Sequence, residues 1–202
     1  MKRVIFFGLS ILTIFLMVSC ASSGQTGSNL QYEEIWTLGV QDKSYMEFAL
    51  APFWEAFPKA FPVDPVVRIG EVNVSEDFPY VFPGLGDQWA GGINHVFTID
   101  FDLDEKYLAD EEGSFELQIA AAGHWTSPMI WEFNLNGVTR RERIMPGGRS
   151  DEMLTDPARV TFRLYRIPFP GKALRLTDNR LAITSGDSWS VFDVIRFVKL
   201  DN

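Results

Sequence analysis

Apolar and polar residues alternate along most of the chain after residue 32, with the period of two that is typical of strands. The clearest run places Phe97, Ile99, Phe101 and Leu103 on one face. The same pattern predicts further strands over Glu34–Leu38, Val66–Val74, Phe115–Ala121, Met129–Leu135, Val160–Leu164, Leu174–Leu176, Leu181–Ile183 and Val191–Leu200. The alternation assigns Leu164 to the core face, and Gln118 and Tyr165 to the solvent face.

Turn-forming residues separate these stretches, and helical patterns are short. Asn136-Gly137 favours a type I′ hairpin turn. Phe48–Phe57 is the best helical candidate, and Pro52 and Pro58 keep it short. Eight or more short strands with turns between them predict an all-β sandwich or barrel.

Composition narrows the functional classes. The 202 residues are 46% hydrophobic and 14% aromatic, which suits one packed domain. The net charge of -9 argues against nucleic acid as a partner, because such a protein needs a basic face. The single Cys excludes an intramolecular disulfide and a Cys-based zinc cluster.

The first 19 residues have the organisation of a secretory signal. Lys2 and Arg3 precede the uncharged run Val4–Val18, which is shorter than the ~20 residues of a membrane span. Met17-Val18-Ser19-Cys20 resembles the lipobox of bacterial lipoproteins, in which the Cys is diacylated and becomes the mature N-terminus. This resemblance implies a lipid anchor at Cys20 and a place in the cell envelope, at the outer membrane or cell surface. An ordinary signal peptide with a chance Cys is the alternative.

Residues 20–32 form the second predicted segment, and residues 33–202 form the third. Ala21–Gln31 is small, polar and uncharged, as in a flexible tether between the acylated Cys and a folded domain.

Six short motifs, in order, resemble the C-terminal, carbohydrate-binding-like module of family 4 polysaccharide lyases (rhamnogalacturonan lyases). The first is Ile35-Trp36-Thr37-Leu38-Gly39 with Asp42 and Glu47-Phe48, where Lys43 stands at a position that is usually Gly. The others are Phe115–Gly123, Phe133–Gly137, Tyr165–Pro168, Leu174 with Asn179, and Ser190–Phe197.

This resemblance implies a galactose-binding-like, jelly-roll β-sandwich. The catalytic machinery of these lyases lies in a large domain that precedes the module, and only the tether lies between Cys20 and Glu33. The lyase activity therefore does not transfer, and no catalytic residue is predicted.

Three Trp residues fall in predicted loops next to short polar residues, as a platform for a pyranose ring requires. Trp89 lies beside Asp87 and Gln88, and is followed by Asn94 and His95. Trp125 follows His124, and Trp189 follows Gly186-Asp187-Ser188. The alternative is that these Trp side chains close the ends of the core. Trp36 and Trp131 are predicted to be core residues, and Trp54 has no assignment.

Two clusters of charge have competing interpretations. The acids at 100, 102, 104, 105 and 110–112 could hold a structural calcium, but a charged outer strand face is the favoured interpretation. Arg140, Arg141, Arg143 and Arg149 could bind an acidic glycan, or pair with this acidic run. No other cofactor is predicted, because His95 and His124 lack metal-ligand spacing.

The sequence thus predicts a non-catalytic, lipid-anchored module that binds polysaccharide at the cell envelope. A protein-interaction or scaffold sandwich without sugar binding is the alternative. An unrecognised polysaccharide-active enzyme ranks third, because no pair of catalytic carboxylates can be identified.

Overall fold

The structure is a computed structural model that describes residues 31–107, 113–124, 127–148 and 151–201. Its strands are β1 (Tyr32–Gly39), β2 (Val66–Arg68), β3 (Val81–Phe82), β4 (Val96–Phe101), β5 (Ser114–Gly123), β6 (Met129–Leu135), β7 (Val138–Ile144), β8 (Arg163–Pro170), β9 (Asn179–Thr184) and β10 (Ser190–Leu200). Two short helices, α1 (Phe57–Ala60) and α2 (Val74–Asp77), lie between strands. Single turns of 3-10 helix cover Trp54–Ala56, Gln88–Ala90, Glu105–Tyr107, Asp151–Leu154, Pro157–Arg159 and Gly171–Ala173.

The strands form two five-stranded sheets that pack face to face. One has the order β1-β10-β5-β8, with β3 also paired to β10, and the other has the order β2-β4-β9-β6-β7. All pairings are antiparallel except that of β2 with β4. The predicted all-β sandwich is confirmed.

Aromatic side chains from both sheets fill the space between them. Phe192 of β10 lies 5.7 Å from Phe82, 6.3 Å from Phe97 and 5.6 Å from Trp131, measured between ring centroids. Trp131 is fully buried and Trp36 is almost so, as predicted for both. The alternation of β6 is confirmed, and the predicted inward residues of β4 are buried as well. In β4, however, Thr98 was predicted to face solvent and is buried, with 9% exposed.

Two further predicted faces were wrong. Tyr165 of β8 is buried and Leu164 is 37% exposed, so the strand presents the opposite face to the core from the one predicted. Inward Tyr165, Ile167 and Phe169 set this register, and the preceding apolar residues Val160 and Phe162 lie before the strand. Gln118 is fully buried because β5 is a central strand, where Arg196 Nε donates to its Oε1 at 2.9 Å.

Three predicted elements were also corrected. The strand expected over Val66–Val74 ends at Arg68, and α2 begins at Val74. Helical structure near Phe48–Phe57 begins only at Trp54, after Pro52. Leu174–Leu176 follows a 3-10 turn and forms no strand; instead Leu103 N–H donates to the Leu176 carbonyl at 2.9 Å.

The predicted turn at Asn136-Gly137 joins β6 to β7. It has positive φ at both residues (51° and 94°), as a type I′ turn requires.

A buried carboxylate fastens the chain after β1 to the centre of its sheet. Asp193 lies at an irregularity of β10 and is 1% exposed. Its Oδ1 accepts the backbone N–H groups of Asp42, Lys43 and Ser44 at 3.2, 2.9 and 3.1 Å. Lys43 has φ 68°, which is the left-handed conformation that favours the Gly usual at this position. The turn therefore keeps its shape without the Gly.

Replacing Asp193 tests this anchor. Asp193→Ala leaves three amides without an acceptor, and we expect a loss of about 2–4 kcal/mol in the free energy of unfolding. Asp193→Asn retains one acceptor oxygen, and we expect it to lose less stability than Asp193→Ala. Urea denaturation of both variants measures the difference, and equal stability of Asp193→Ala and the native chain would contradict the assignment.

Comparison of the native chain with Asp193→Asn also reports the ionisation of Asp193, because burial raises the pKa of Asp193 to about 6. The folded state then binds a proton at a higher pH than the unfolded state does. We therefore expect the native chain to gain stability relative to Asp193→Asn as the pH falls from about 6 towards 4.

Candidate functional site

Three of the loops that hold predicted site residues meet at one end of the sandwich, where β10 begins. Leu85 N–H donates to the Gly186 carbonyl at 3.0 Å, and Gly86 N–H donates to the Asp187 carbonyl at 2.7 Å. His124 N–H donates to the Trp189 carbonyl at 3.0 Å. These bonds join the loops that carry Trp89, His124 and Trp189, which we call the loop end.

Asp87 holds the first of these loops in shape. Its carboxylate accepts the Gly84 N–H at 2.7 Å, and its carbonyl accepts the N–H groups of Ala90 and Gly92 at 2.9 and 3.1 Å. Burial raises the pKa of the Asp87 carboxyl, although nearby His124 and His95 favour its charged form. Asp87 therefore has a structural role, whereas Gln88 and Asn94 are exposed at the surface.

His95 is a buried tie between two loops. Its Nδ1 lies 2.5 Å from Asp64 Oδ1, and its Nε2 lies 3.1 Å from the Ala90 carbonyl oxygen. Both partners are acceptors, so the doubly protonated imidazolium satisfies both contacts. Desolvation lowers the pKa of His95, but its bonds to Asp64 and Ala90 outweigh that effect, and the net shift is upward. The tie fixes the turn that carries Trp89.

Trp89 and Trp54 form a partly exposed aromatic pair on this support. Their ring centroids are 4.9 Å apart and their planes are inclined by 69°. Buried Phe57 lies beneath Trp89 at 6.2 Å. Neighbouring Phe53 is 68% exposed. The pair offers apolar ring surface next to backbone and side-chain hydrogen-bonding groups, which is the chemistry that a pyranose ring requires.

The other two predicted Trp residues differ from Trp89. Trp189 is only 4% exposed and packs against His124, with ring centroids 4.8 Å apart. That packing is the alternative raised by the sequence, in which Trp closes an end of the core. Trp125 and Arg149 lie outside the described residues, as do Cys20 and the predicted signal peptide.

Arg140 lies away from the loop end, beside β8, where its Nε donates to the Pro168 carbonyl at 3.0 Å. The neighbouring Arg141 pairs with Glu132. Two acids of the acidic run pair with other arginines: Asp100 binds Arg180 through both oxygens, and Asp102 binds Arg68 at 2.7 Å. The acids at 110–112 lie outside the described residues. Within the described ranges, no group of three or more His, Cys, Asp or Glu side chains could hold a metal ion. None of the helices described there is long and apolar enough to cross a membrane.

Comparison with protein families identifies the family to which the chain belongs. Residues 34–197 match the model of the CBM-like domain III of polysaccharide lyase family 4. The chain belongs to this family. The match covers both sheets and the loop end, and it confirms the family resemblance carried by the sequence motifs.

Similar solved structures include three carbohydrate-related proteins. A family 35 carbohydrate-binding module from an environmental isolate has 11% identity and a TM-score of 0.36, over 66% of this chain and 81% of that one. A ruminal GH26 endo-β-1,4-mannanase has 11% identity and a TM-score of 0.38, over 83% and 26%. The cycloalternan-forming enzyme of Listeria monocytogenes has 11% identity and a TM-score of 0.36, over 53% and 8%. The chain thus spans only small parts of the two enzymes. No protein of curated function matches the sequence.

The His95 tie predicts a pH dependence of stability. The pKa of His95 is raised in the folded state, so the contribution of His95 to stability is fully present below about pH 6.5, the usual pKa of His. That contribution is lost as the pH rises through the folded-state pKa. We therefore expect the stability of the native chain relative to His95→Gln to fall as the pH rises above about 6.5. Thermal unfolding of both proteins between pH 5 and 9 measures it, and a constant difference would show that His95 is not held as the imidazolium.

Proposed function

We propose that this chain is a non-catalytic carbohydrate-binding module that a lipid on Cys20 holds at the cell envelope. The observation that carries the proposal is the Trp54–Trp89 pair at the loop end of a CBM-like domain. The indole faces would cover the apolar C–H side of a sugar ring, and the exposed polar groups of Gln88 and Asn94 would contact its hydroxyls.

The geometry of β1 and β10 supports this orientation. Tyr32, where the chain enters the sandwich, pairs with Leu200 at one end of β10, whereas Trp189 precedes Ser190 at the other end. The 11 residues of β10 span roughly 35 Å. A domain tethered through residue 31 would therefore hold the aromatic pair away from the membrane and towards polymers outside it.

Substitution of the aromatic pair tests sugar binding. We expect Trp54→Ala and Trp89→Ala each to weaken binding to a retained polysaccharide about tenfold or more, because each removes one stacking face. The matched control is Leu176→Ala, since Leu176 is 37% exposed and its carbonyl accepts the Leu103 N–H beyond the end of β4 that is farther from His95 and Trp89. Affinity gel electrophoresis across a panel of polysaccharides measures the effect, with thermal unfolding to verify folding. Equal retention of all four proteins would contradict a role for the pair.

Substitution of Cys20 tests the anchor separately. We expect Cys20→Ser to abolish labelling with a radioactive or alkyne fatty acid and to move the protein from the membrane fraction to the soluble fraction. Ser19→Ala is the control, because it keeps the thiol and a small residue before it. Membrane retention of unlabelled Cys20→Ser would rule out acylation as the attachment.

A scaffold module is the second candidate, and the exposed apolar side chains near the aromatic pair favour it. Phe53, Leu85 and Ile93 are 68%, 48% and 54% exposed. If these residues bind a protein, Phe53→Ser would abolish capture of that partner while no polysaccharide retards the native chain.

A further inference from the structure

A cleft at the opposite end from the aromatic pair has the features of a second binding site. It is about 430 Å³ in volume and lies beside Ser114, Arg140, Pro168, Pro170, Lys172 and Leu200. Leu200 pairs with Tyr32, which places the cleft at the end where the chain enters the sandwich. Its walls come from the edge strands β7 and β8 of the two sheets and from the start of β5.

Arg140 is held rigidly in this cleft. Its Nε donates to the Pro168 carbonyl at 3.0 Å, and its Nη1 donates to the Thr139 carbonyl at 3.1 Å. Its guanidinium carbon lies 5.8 Å from the centroid of buried Phe169. Two backbone bonds and a ring contact fix the plane of the guanidinium, so little side-chain entropy remains to be lost when a ligand binds.

No residue that the structure describes supplies a counterion to the positive charges of this cleft. Within the described part of the chain, no ion pair is formed by Arg140 or by the exposed Lys172, and Nη2 of Arg140 has no hydrogen-bond partner. The neighbouring Arg141 is satisfied by Glu132 at 2.8 Å, and Arg68 and Arg180 are satisfied by Asp102 and Asp100. Other described cations, such as Arg143 and Arg175, also form no ion pair, but Arg140 and Lys172 lie beside the same cleft, and none of the described residues that line it is acidic.

We propose that this cleft binds the oxyanion of an acidic saccharide, either a carboxylate or a sulfate ester. The free edge of a fixed guanidinium matches the two oxygens of such a group, and Lys172 adds a second positive charge. The cleft has room for about one or two sugar rings beside the two proline rings. The choice of a saccharide as the carrier of the anion rests on the proposed function, whereas the anion chemistry rests on Arg140 and Lys172 alone.

Two pairs of polymers test the proposal with the full-length chain in a non-ionic detergent. The first pair is a polyuronate and its carboxyl-reduced form, and the second is a sulfated galactan and its desulfated form. We expect tighter binding to the charged member of at least one pair, and we call the ratio of its affinity to that of the neutral member the excess. Arg140→Gln and Lys172→Gln should each reduce the excess roughly 3–10-fold, and rising salt should reduce it as well. Affinity electrophoresis gives the dissociation constants.

Two matched variants control for charge. Arg141→Gln removes a paired guanidinium from the same strand, and Arg175→Gln removes an exposed one that lies beside a different cleft. Both should leave the excess unchanged within about twofold, because neither lies beside the Arg140 cleft. Equal effects of Arg140→Gln and Arg141→Gln would overturn the site, as would equal binding of the charged and neutral members of both pairs.

Further outcomes separate this site from the aromatic pair. Trp89→Ala should weaken binding to the neutral polymers while the excess for the charged member persists. Binding of neutral polymers without any charge-dependent excess overturns the second site and leaves the proposed function standing. Competition by glycerol 3-phosphate that equals competition by a free uronate would show a general phosphate or anion site, and would overturn the saccharide assignment.

Discussion

The aromatic packing of Phe192 between the two sheets is the contact on which the rest of the structure depends. Its ring meets Phe82 of its own sheet, Phe97 and Trp131 of the facing sheet, and Phe78 of the connecting segment at 5.8 Å. One residue thus fixes the separation of the sheets and the position of the strands beside them. Because β3 and β4 flank the loop that carries Trp89, the loop end takes its position from this contact.

The residue after Phe192 extends that control to the polar part of the fold. Asp193 reaches out of the same strand and binds three consecutive amides, so the chain leaving β1 is fixed to the core strand. His95 and Asp87 act similarly on the other loops. The buried ionisable groups Asp87 and His95 therefore hold backbone in place at the loop end, whereas Trp54 and Trp89 form its partly exposed surface. The order of these buried groups is established when the chain folds.

Much of the fold could be predicted from the sequence, because strands buried on one face leave a pattern of period two. The pattern failed where both faces of a strand are covered, as at Gln118, and where the apolar residues before a strand are out of phase with it, as at Leu164. The candidate site was only partly foreseen. Trp89 was singled out by its polar neighbours, whereas Trp54 begins a single 3-10 turn after Pro52 and carries no periodic signal. Asp64 shows its role only through its contact with His95, which is distant in sequence. The sequence named Arg140 among four arginines, but it did not distinguish Arg140 from Arg141, which pairs with Glu132.

The hydrogen bond from Asp201 N–H to the Gln31 carbonyl, at 3.1 Å, brings both ends of the described sandwich to one point. A few added glycines would bridge them, so the domain is suited to circular permutation, with new termini opened elsewhere. A fluorescent protein joined after β10 would sit beside the start of β1 and about one strand length from Trp89. Such a fusion would leave the aromatic surface open, whereas one inserted into the Gly84–Gly92 loop would disrupt it.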